Sequence, residues 1–285
     1  MAVRRHGRTG GTALTAALVT AVAALAAGCS GGRLPADSQN AAATADAAAV
    51  VRRAAAVLER EGSSRAHTAM EMASGGTRVT VRGYGVYDYR RRHGRLAVSL
   101  PADPAGRAEH RPITELLAPG ALFMKNRGAG VPADKWVRVD TGSLTDGNLV
   151  TGGATDPLAA AQILAGAGSV RYVGAGELAG APVRHYRGVA DLARAARAVG
   201  SGGSGGAALA AAAKGFSKAE VPFDVYLDGA GRLRKVRHRF SFAARGAGRP
   251  VAVTSTTLLY GFGVPVEVRL PTGDDIYTGR IAEPQ

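Results

Sequence analysis

The chain has 285 residues, of which 46% are hydrophobic, and 36 Lys and Arg against 22 Asp and Glu give a formal charge of +14. That length accommodates one large domain or two small ones, and the apolar share suffices for a core although much of it is alanine. A single cysteine, Cys29, excludes a disulfide framework and a cysteine-based zinc set.

Arg4, Arg5 and Arg8 precede an apolar run from Ala13 to Ala27. About fifteen residues fall short of the roughly 20 that a bilayer-spanning helix needs, so residues 1–28 read as a signal peptide. Leu25-Ala26-Ala27-Gly28-Cys29, followed by Ser30-Gly31-Gly32, resembles the lipobox of bacterial lipoproteins. The resemblance implies cleavage between Gly28 and Cys29, lipidation of the Cys29 sulfur and acylation of the new N-terminus. A plain secretory signal ending in Ala-x-Ala is the alternative. A lone thiol in an exported protein is occupied chemically under the first reading and idle under the second, which favours lipidation. Removing residues 1–28 takes away three arginines and no acid, so +14 falls to +11. Such a balance suits nucleic acid, but an exported protein is separated from it. The relevant partner is then the membrane, reached through the N-terminal lipid anchor at the extracytoplasmic face of the cell membrane. Anionic lipid head groups attract such a chain, with solvated arginines on exposed strand faces as the plainer account.

Residues 29–40 are small, polar and aperiodic after the cysteine and read as a flexible tether. Eleven residues span about 18 Å as a flexible coil. Residues 41–285 read as a single domain. Ala41, Val50, Val51, Ala54, Val57 and Leu58 recur at helical spacing with Gly62 beyond them, predicting an amphipathic helix of about twenty residues. From Arg65 the period changes to two. Ala66–Met72 alternates, Ser74–Gly76 turns, Arg78–Arg82 alternates again and Tyr84–Tyr89 continues that strand, then Arg91–Gly94 turns it and Arg95–Leu100 returns. Further strands are predicted at Glu115–Leu117, Ala121–Lys125, Trp136–Asp140, Val170–Glu177, Pro182–Val189, Val221–Leu227, Leu233–Ala243, Val251–Tyr260 and Val266–Leu270. Asp228-Gly229-Ala230-Gly231 is the clearest hairpin turn. Asp156-Pro157 opens a helix running to about Leu164, with Asp as N-cap and Pro at the first position. Asp191 opens another over Leu192–Val199. The glycines of 200–206 read as a flexible loop and the alanines of 207–213 as a further helix. Sequential antiparallel strands with helices on one side make an α+β layer structure.

Catalytic signals are sparse. His67, His93, His110, His185 and His238 lack metal-ligand spacing, so no metal or other cofactor is expected. His238 alternates with Val236, Phe240 and Phe242 and so points to the apolar face; His185 reads the same way, and His93 sits in a turn. Gly202 to Gly206 spells a nucleophile elbow and Gly200 to Gly205 a dinucleotide fingerprint, but neither has the strand before and helix after that the chemistry needs. Asp224 with Asp228, and Asp274 with Asp275, do not set one carboxylate in an apolar and one in a polar environment. The chain is therefore not expected to be an enzyme. Instead, apolar residues recur at alternating strand positions: Leu122, Met124, Tyr172, Tyr186, Phe223, Val225 and Leu227, then Val236, Phe240 and Phe242. They line either a core sealed by helices or a cavity that holds an acyl chain.

The lipobox and tether, the leading helix, "RVTVRGYGVYDY", "PGALFMKN", "KWVRVD", the Asp-Pro helix, "VGAGELAGAPVRHYRGVAD", "VPFDVYLDGAGRLRKVRHRF" and "LLYGFGVPVEVRLP" together resemble the actinobacterial lipoproteins of the LppX/LprG type, with a LolA-like fold. The resemblance covers roughly residues 42–272. It implies a strongly curved antiparallel half-barrel whose concave face is covered by helices, with a hydrophobic cavity between. It further implies transport or presentation of a lipid or glycolipid. An envelope lipoprotein of the same fold that regulates an inner-membrane protein without carrying lipid is the alternative. Only Cys29 carries over residue for residue.

Overall fold

The computed structural model describes residues 46–74, 77–101, 111–126, 130–152, 155–200, 202–243 and 250–279. The Gly28–Cys29 cleavage site and the tether lie outside them. All the described residues fall in one compact unit, Ala36–Gln285.

Residues 46–52 (α1) and Ala54–Glu61 (α2) form the leading helix, interrupted at Arg53, where the backbone turns to φ −80° and ψ −5°. Gly62 ends it at φ 86°, its N–H donating to the Leu58 carbonyl, as the apolar spacing with a glycine beyond it predicts. Six strands follow: β1 (Ser63–Ser74), β2 (Thr77–Asp88), β3 (His93–Ser99), β4 (Ile113–Ala118), β5 (Ala121–Lys125) and β6 (Val137–Asp140). After α3 (Pro157–Ile163) come β7 (Ala167–Leu178) and β8 (Ala181–Asp191), then α4 (Leu192–Val199) and α5 (Ser204–Gly215). The chain returns through β9 (Glu220–Asp228), β10 (Leu233–Ala243) and β11 (Pro250–Tyr260). All eleven strands join one antiparallel sheet in the order β6-β5-β4-β3-β2-β1-β11-β10-β9-β8-β7. Two meanders are therefore welded along a single ladder, in which Arg65 to Ala73 of β1 face Tyr260 to Ala252 of β11. The result is the α+β architecture expected: a curved, open antiparallel sheet with helices on one face.

One-sided burial follows from strand alternation. Met70, Val81, Leu96 and Leu122 from one meander and Phe223, Val225, Val236 and Phe240 from the other turn inward. Helices close over them with Val51, Leu58, Ile163, Leu192 and Leu209. Local chemistry fixes the helix starts. Asp156 Oδ1 accepts the Leu158 and Ala159 N–H groups at 2.7 and 3.1 Å, and Asp191 Oδ1 accepts that of Arg194 at 2.6 Å. In the β9–β10 turn Asp228 Oδ1 accepts from the N–H groups of Ala230 and Arg232, and Gly231 adopts φ 78°.

Two expectations are corrected. Val266–Leu270 is not a strand. Its alternation is real, since Val268 and Leu270 rest on the satellite cluster of Leu116, Ala121 and Phe123, but Pro265 and Pro271 flank the segment and have no N–H to donate to a ladder. The glycine run 200–206 is only partly a loop, because Ser204, Gly205 and Gly206 form the first turn of α5. Glycine is required there by space: a Cβ on Gly206 would lie 2.0 Å from the Gly200 carbonyl oxygen.

Candidate functional site

The concave face brings together eight of the ten apolar residues singled out in the sequence. Leu122, Met124, Tyr186, Phe223, Val225, Leu227, Val236 and Phe240 are all buried in one cluster. Tyr172 does not join them and is 53% exposed. It belongs to β7, the edge strand, whose register slips on either side of it, and its ring meets Tyr186 edge-on at 5.6 Å instead. The Phe242 side chain lies outside the described residues.

The eight residues are packed against helices and one another, so in this state they bound a core. A small space remains at one end of the sheet–helix interface. It is a cleft of about 70 Å³ bordered by Tyr87 and Leu117 from the sheet, Asp156 and Gln162 from the start and body of α3, and Ser204 and Gly205 from α5. That is room for a few waters or a short alkyl stub, far below the several hundred Å³ that enclose a lipid-sized ligand. Its wall is polar on one side. The Tyr87 hydroxyl donates to Asp156 Oδ2 at 3.0 Å, and burial pushes the Asp156 carboxyl up, against the N–H groups and hydroxyl that stabilise its charge. The sequence marks Asp156 as a helix cap; that the same carboxyl also faces a cleft is set by β2, some seventy residues away in the chain.

Polar groups also enter the core. Thr155 and Ser255 share a hydrogen bond of 2.7 Å, and His238, buried, lies opposite Ser255 on the neighbouring strand with its ring 5.8 Å from that of Phe240. Burial holds the His238 imidazole down to about 3, so it is neutral throughout the physiological range.

No family model matches the chain, nor does any curated protein. Among solved structures it is similar to the lipoprotein LppX of Mycobacterium tuberculosis, at 12% identity and a TM-score of 0.46 over 79% of this chain and 99% of that one. It is similar also to LprF of Mycobacterium bovis, at 13% identity and a TM-score of 0.40 over 80% and 98%. A LolA superfamily protein of Nitrosomonas europaea gives 11% identity and a TM-score of 0.34 over 77% and 94%. At such identities no side chain of those proteins carries over to a position here.

His185 departs from its expected place. Tyr186 points inward, so its neighbour on the same strand must point outward. His185 accordingly stacks on Tyr226 at 4.3 Å on the convex face and bonds Asp224 Oδ1 at 2.9 Å. The apolar neighbours of His185 suggest a core position, but the strand period overrules them.

Proposed function

We propose that the chain is an envelope lipoprotein, anchored through Cys29, that carries an acyl-chain lipid or other hydrophobic ligand between its sheet and its helices and performs no covalent chemistry. The observation that carries this reading is the attachment of α5. This helix walls the small cleft, yet Leu209 is the only large side chain among its three buried residues, the others being Gly206 and Ala212. Gly200 and Gly202–Gly203 precede it and Gly215 ends it. Exposing one leucine costs roughly 1.5–3 kcal/mol, and each methylene buried in its place contributes roughly 0.8 kcal/mol. Three or four methylenes thus offset the exposure of Leu209, and a longer chain also offsets that of Ala210 and Ala213, which pack against the core. Below α5 the ligand meets Leu117, Leu122 and the rest of the apolar sheet face. Among the described residues no helix is long and apolar enough to cross a membrane.

The test pins α5 to α3. A Cβ at Gly205 would lie 2.7 Å from the Gln162 side-chain oxygen, so Gly205 faces α3, and the pair Gly205→Cys and Gln162→Cys is used once loss of free thiol and mass show that the two have joined. The full chain is expected to take up a fluorescent fatty acid when this pair is reduced and to lose uptake at least tenfold when it is oxidised. Mass spectrometry of organic extracts is expected to find lipid with the wild-type chain. Equal uptake in both redox states, or extracts free of lipid, overturns the carrier. Cys29→Ala is expected to leave the precursor uncleaved, visible as a larger product by mass.

One observation favours the other reading, an interaction lipoprotein that regulates a membrane partner: among the described residues the inward apolar side chains are packed into a core. That reading expects lipid-free extracts and unchanged partner binding when α5 is locked.

A further inference from the structure

The convex face of β7–β10 carries a row of charged side chains beside two pockets. The alternation that turns Tyr186, Phe223 and Val236 inward turns Arg187, Asp224 and Arg237 outward. The ladders set Arg171, Arg187, Asp224 and Arg237 side by side in one row across four strands. Like charges directly opposite each other on neighbouring strands are destabilising, and Arg171 opposite Arg187 is such a pair.

Asp224 is the acid in this row and is fully engaged. Arg187 Nε donates to it at 2.7 Å, Arg239 Nη2 at 2.8 Å, and His185 Nε2 lies 2.9 Å away. Burial pushes its carboxyl up, but these partners outweigh that and hold it at about 2. Arg171 has no ion pair or side-chain hydrogen bond among the described residues, and the Arg237 Nε is buried without a hydrogen-bond partner. An unpaired buried donor on a charged group is costly; Arg237 borders the neighbouring smaller pocket, whereas the unpaired Arg171 borders the larger cleft.

Beside the row lies a cleft of about 430 Å³ bordered by Ser169, Arg171, Arg187, Val189, Pro222 and Arg239. Its volume is that of a small-ligand site. Val189 and Pro222 with the backbone of Gly188 give it an apolar floor, and three guanidinium groups stand at its rim. A smaller pocket of about 130 Å³ shares Arg187 and Arg239 and adds Lys235 and Arg237. Five cations and one carboxylate border the two pockets, and the outward acids Asp191 and Glu220 pair beyond Val189 and Pro222.

We infer that the cleft binds an anionic amphiphile, with a phosphate or carboxylate head held by Arg171, Arg187 and Arg239 and the adjoining alkyl segment on Val189 and Pro222. The planar forks of arginine match the oxygen geometry of such heads and hold them bidentately. The same chemistry is offered by the head group of an acidic membrane lipid and by a free alkyl phosphate. The site lies on the opposite side of the sheet from α5 and stands whether or not the concave face loads lipid.

The full chain, held in neutral maltoside micelles, is titrated with hexyl phosphate, inorganic phosphate and hexanol, each soluble as a monomer. Hexyl phosphate is expected to bind at least tenfold tighter than either fragment, because head and tail each contribute. Arg171→Gln leaves the Asp224 network intact and is expected to weaken hexyl phosphate about tenfold. Arg184→Gln, an equal loss of charge on β8 outside the cleft, is expected to change it less than twofold. Hydrogen exchange of the chain in nanodiscs then separates the sources. Protection of residues 169–171 and 187–189 with phosphatidylglycerol but not phosphatidylcholine assigns the head group to the membrane, and its absence assigns the site to a free amphiphile. Equal effects of the two substitutions, or inorganic phosphate binding as tightly as hexyl phosphate, overturn the inference.

Discussion

Truncating Phe223 to alanine is expected to destabilise the domain by about 4 kcal/mol, in the range found for fully buried aromatic residues. Phe223 is wholly inaccessible, in the middle of β9, with Gly188 of β8 on one side and His238 of β10 on the other. Its ring occupies the space that Gly188 leaves open, since a Cβ on Gly188 would lie 2.7 Å from the Phe223 Cζ. Neither neighbour can collapse into the hole: one has no side chain, and the other is a buried imidazole fixed in the sheet. The cavity therefore persists and adds its cost to the lost transfer energy. Urea denaturation followed by circular dichroism gives the measurement, with an unchanged slope showing that only stability has moved. Phe223→Leu keeps most of the volume and is expected to cost less than half as much. A cost below about 1 kcal/mol for the alanine variant would mean that this part of the core is already loose, as a preformed lipid cavity would make it.

The outcome bears on what a sequence of this kind discloses. Strand alternation discloses the inward set well, because period two is a local property: Phe223, Val225 and Leu227 cannot face inward unless Asp224 and Tyr226 face outward. Turn and cap chemistry is equally local, and Asp228-Gly229-Ala230-Gly231 and Asp156-Pro157 form the turn and the helix start that their residues predict. What alternation does not carry is position in the sheet. Tyr172 follows the pattern yet is exposed, because β7 is the edge strand and its register slips beside that residue. Nor does alternation tell a filled interface from a hollow one. The same apolar residues serve either, and the difference lies in what packs against them, here Leu209 and Ala212 of α5 among others. The arginine row on the convex face was invisible for a related reason. Arg171, Arg187, Asp224 and Arg237 are scattered over sixty-odd residues of sequence, and only the pairing of four strands makes them neighbours.

His238 gives the second large effect, read as a pH dependence. Its side chain faces Phe223 across one ladder and Ser255 across the other, and its Nε2 is buried without a hydrogen-bond partner. Removal from water penalises the imidazolium, which is why its pKa falls to about 3 from 6.5. In the unfolded chain the ring titrates normally. Below about pH 6.5 the unfolded state therefore binds a proton that the folded state refuses, and stability is lost as the pH falls, at about 1.4 kcal/mol per pH unit, until the folded pKa is reached. Above pH 7 neither state is protonated and the contribution is constant. Other groups act elsewhere or in the opposite sense. Asp224, held at about 2, loses its contribution only below the ordinary carboxylate range. Asp156, raised by burial, favours the fold in acid and loses that advantage as the pH rises through the carboxylate range. Subtracting the stability of His238→Leu from that of the wild type at each pH cancels both. The difference is expected to be flat from pH 7 to 8 and to slope at about 1.4 kcal/mol per unit between pH 6 and 4.5. Parallel curves for the two proteins would show that His238 titrates alike in the folded and unfolded states. Water or a polar partner would then reach Nε2, and the sheet–helix interface around Phe240 would be open without any movement of α5.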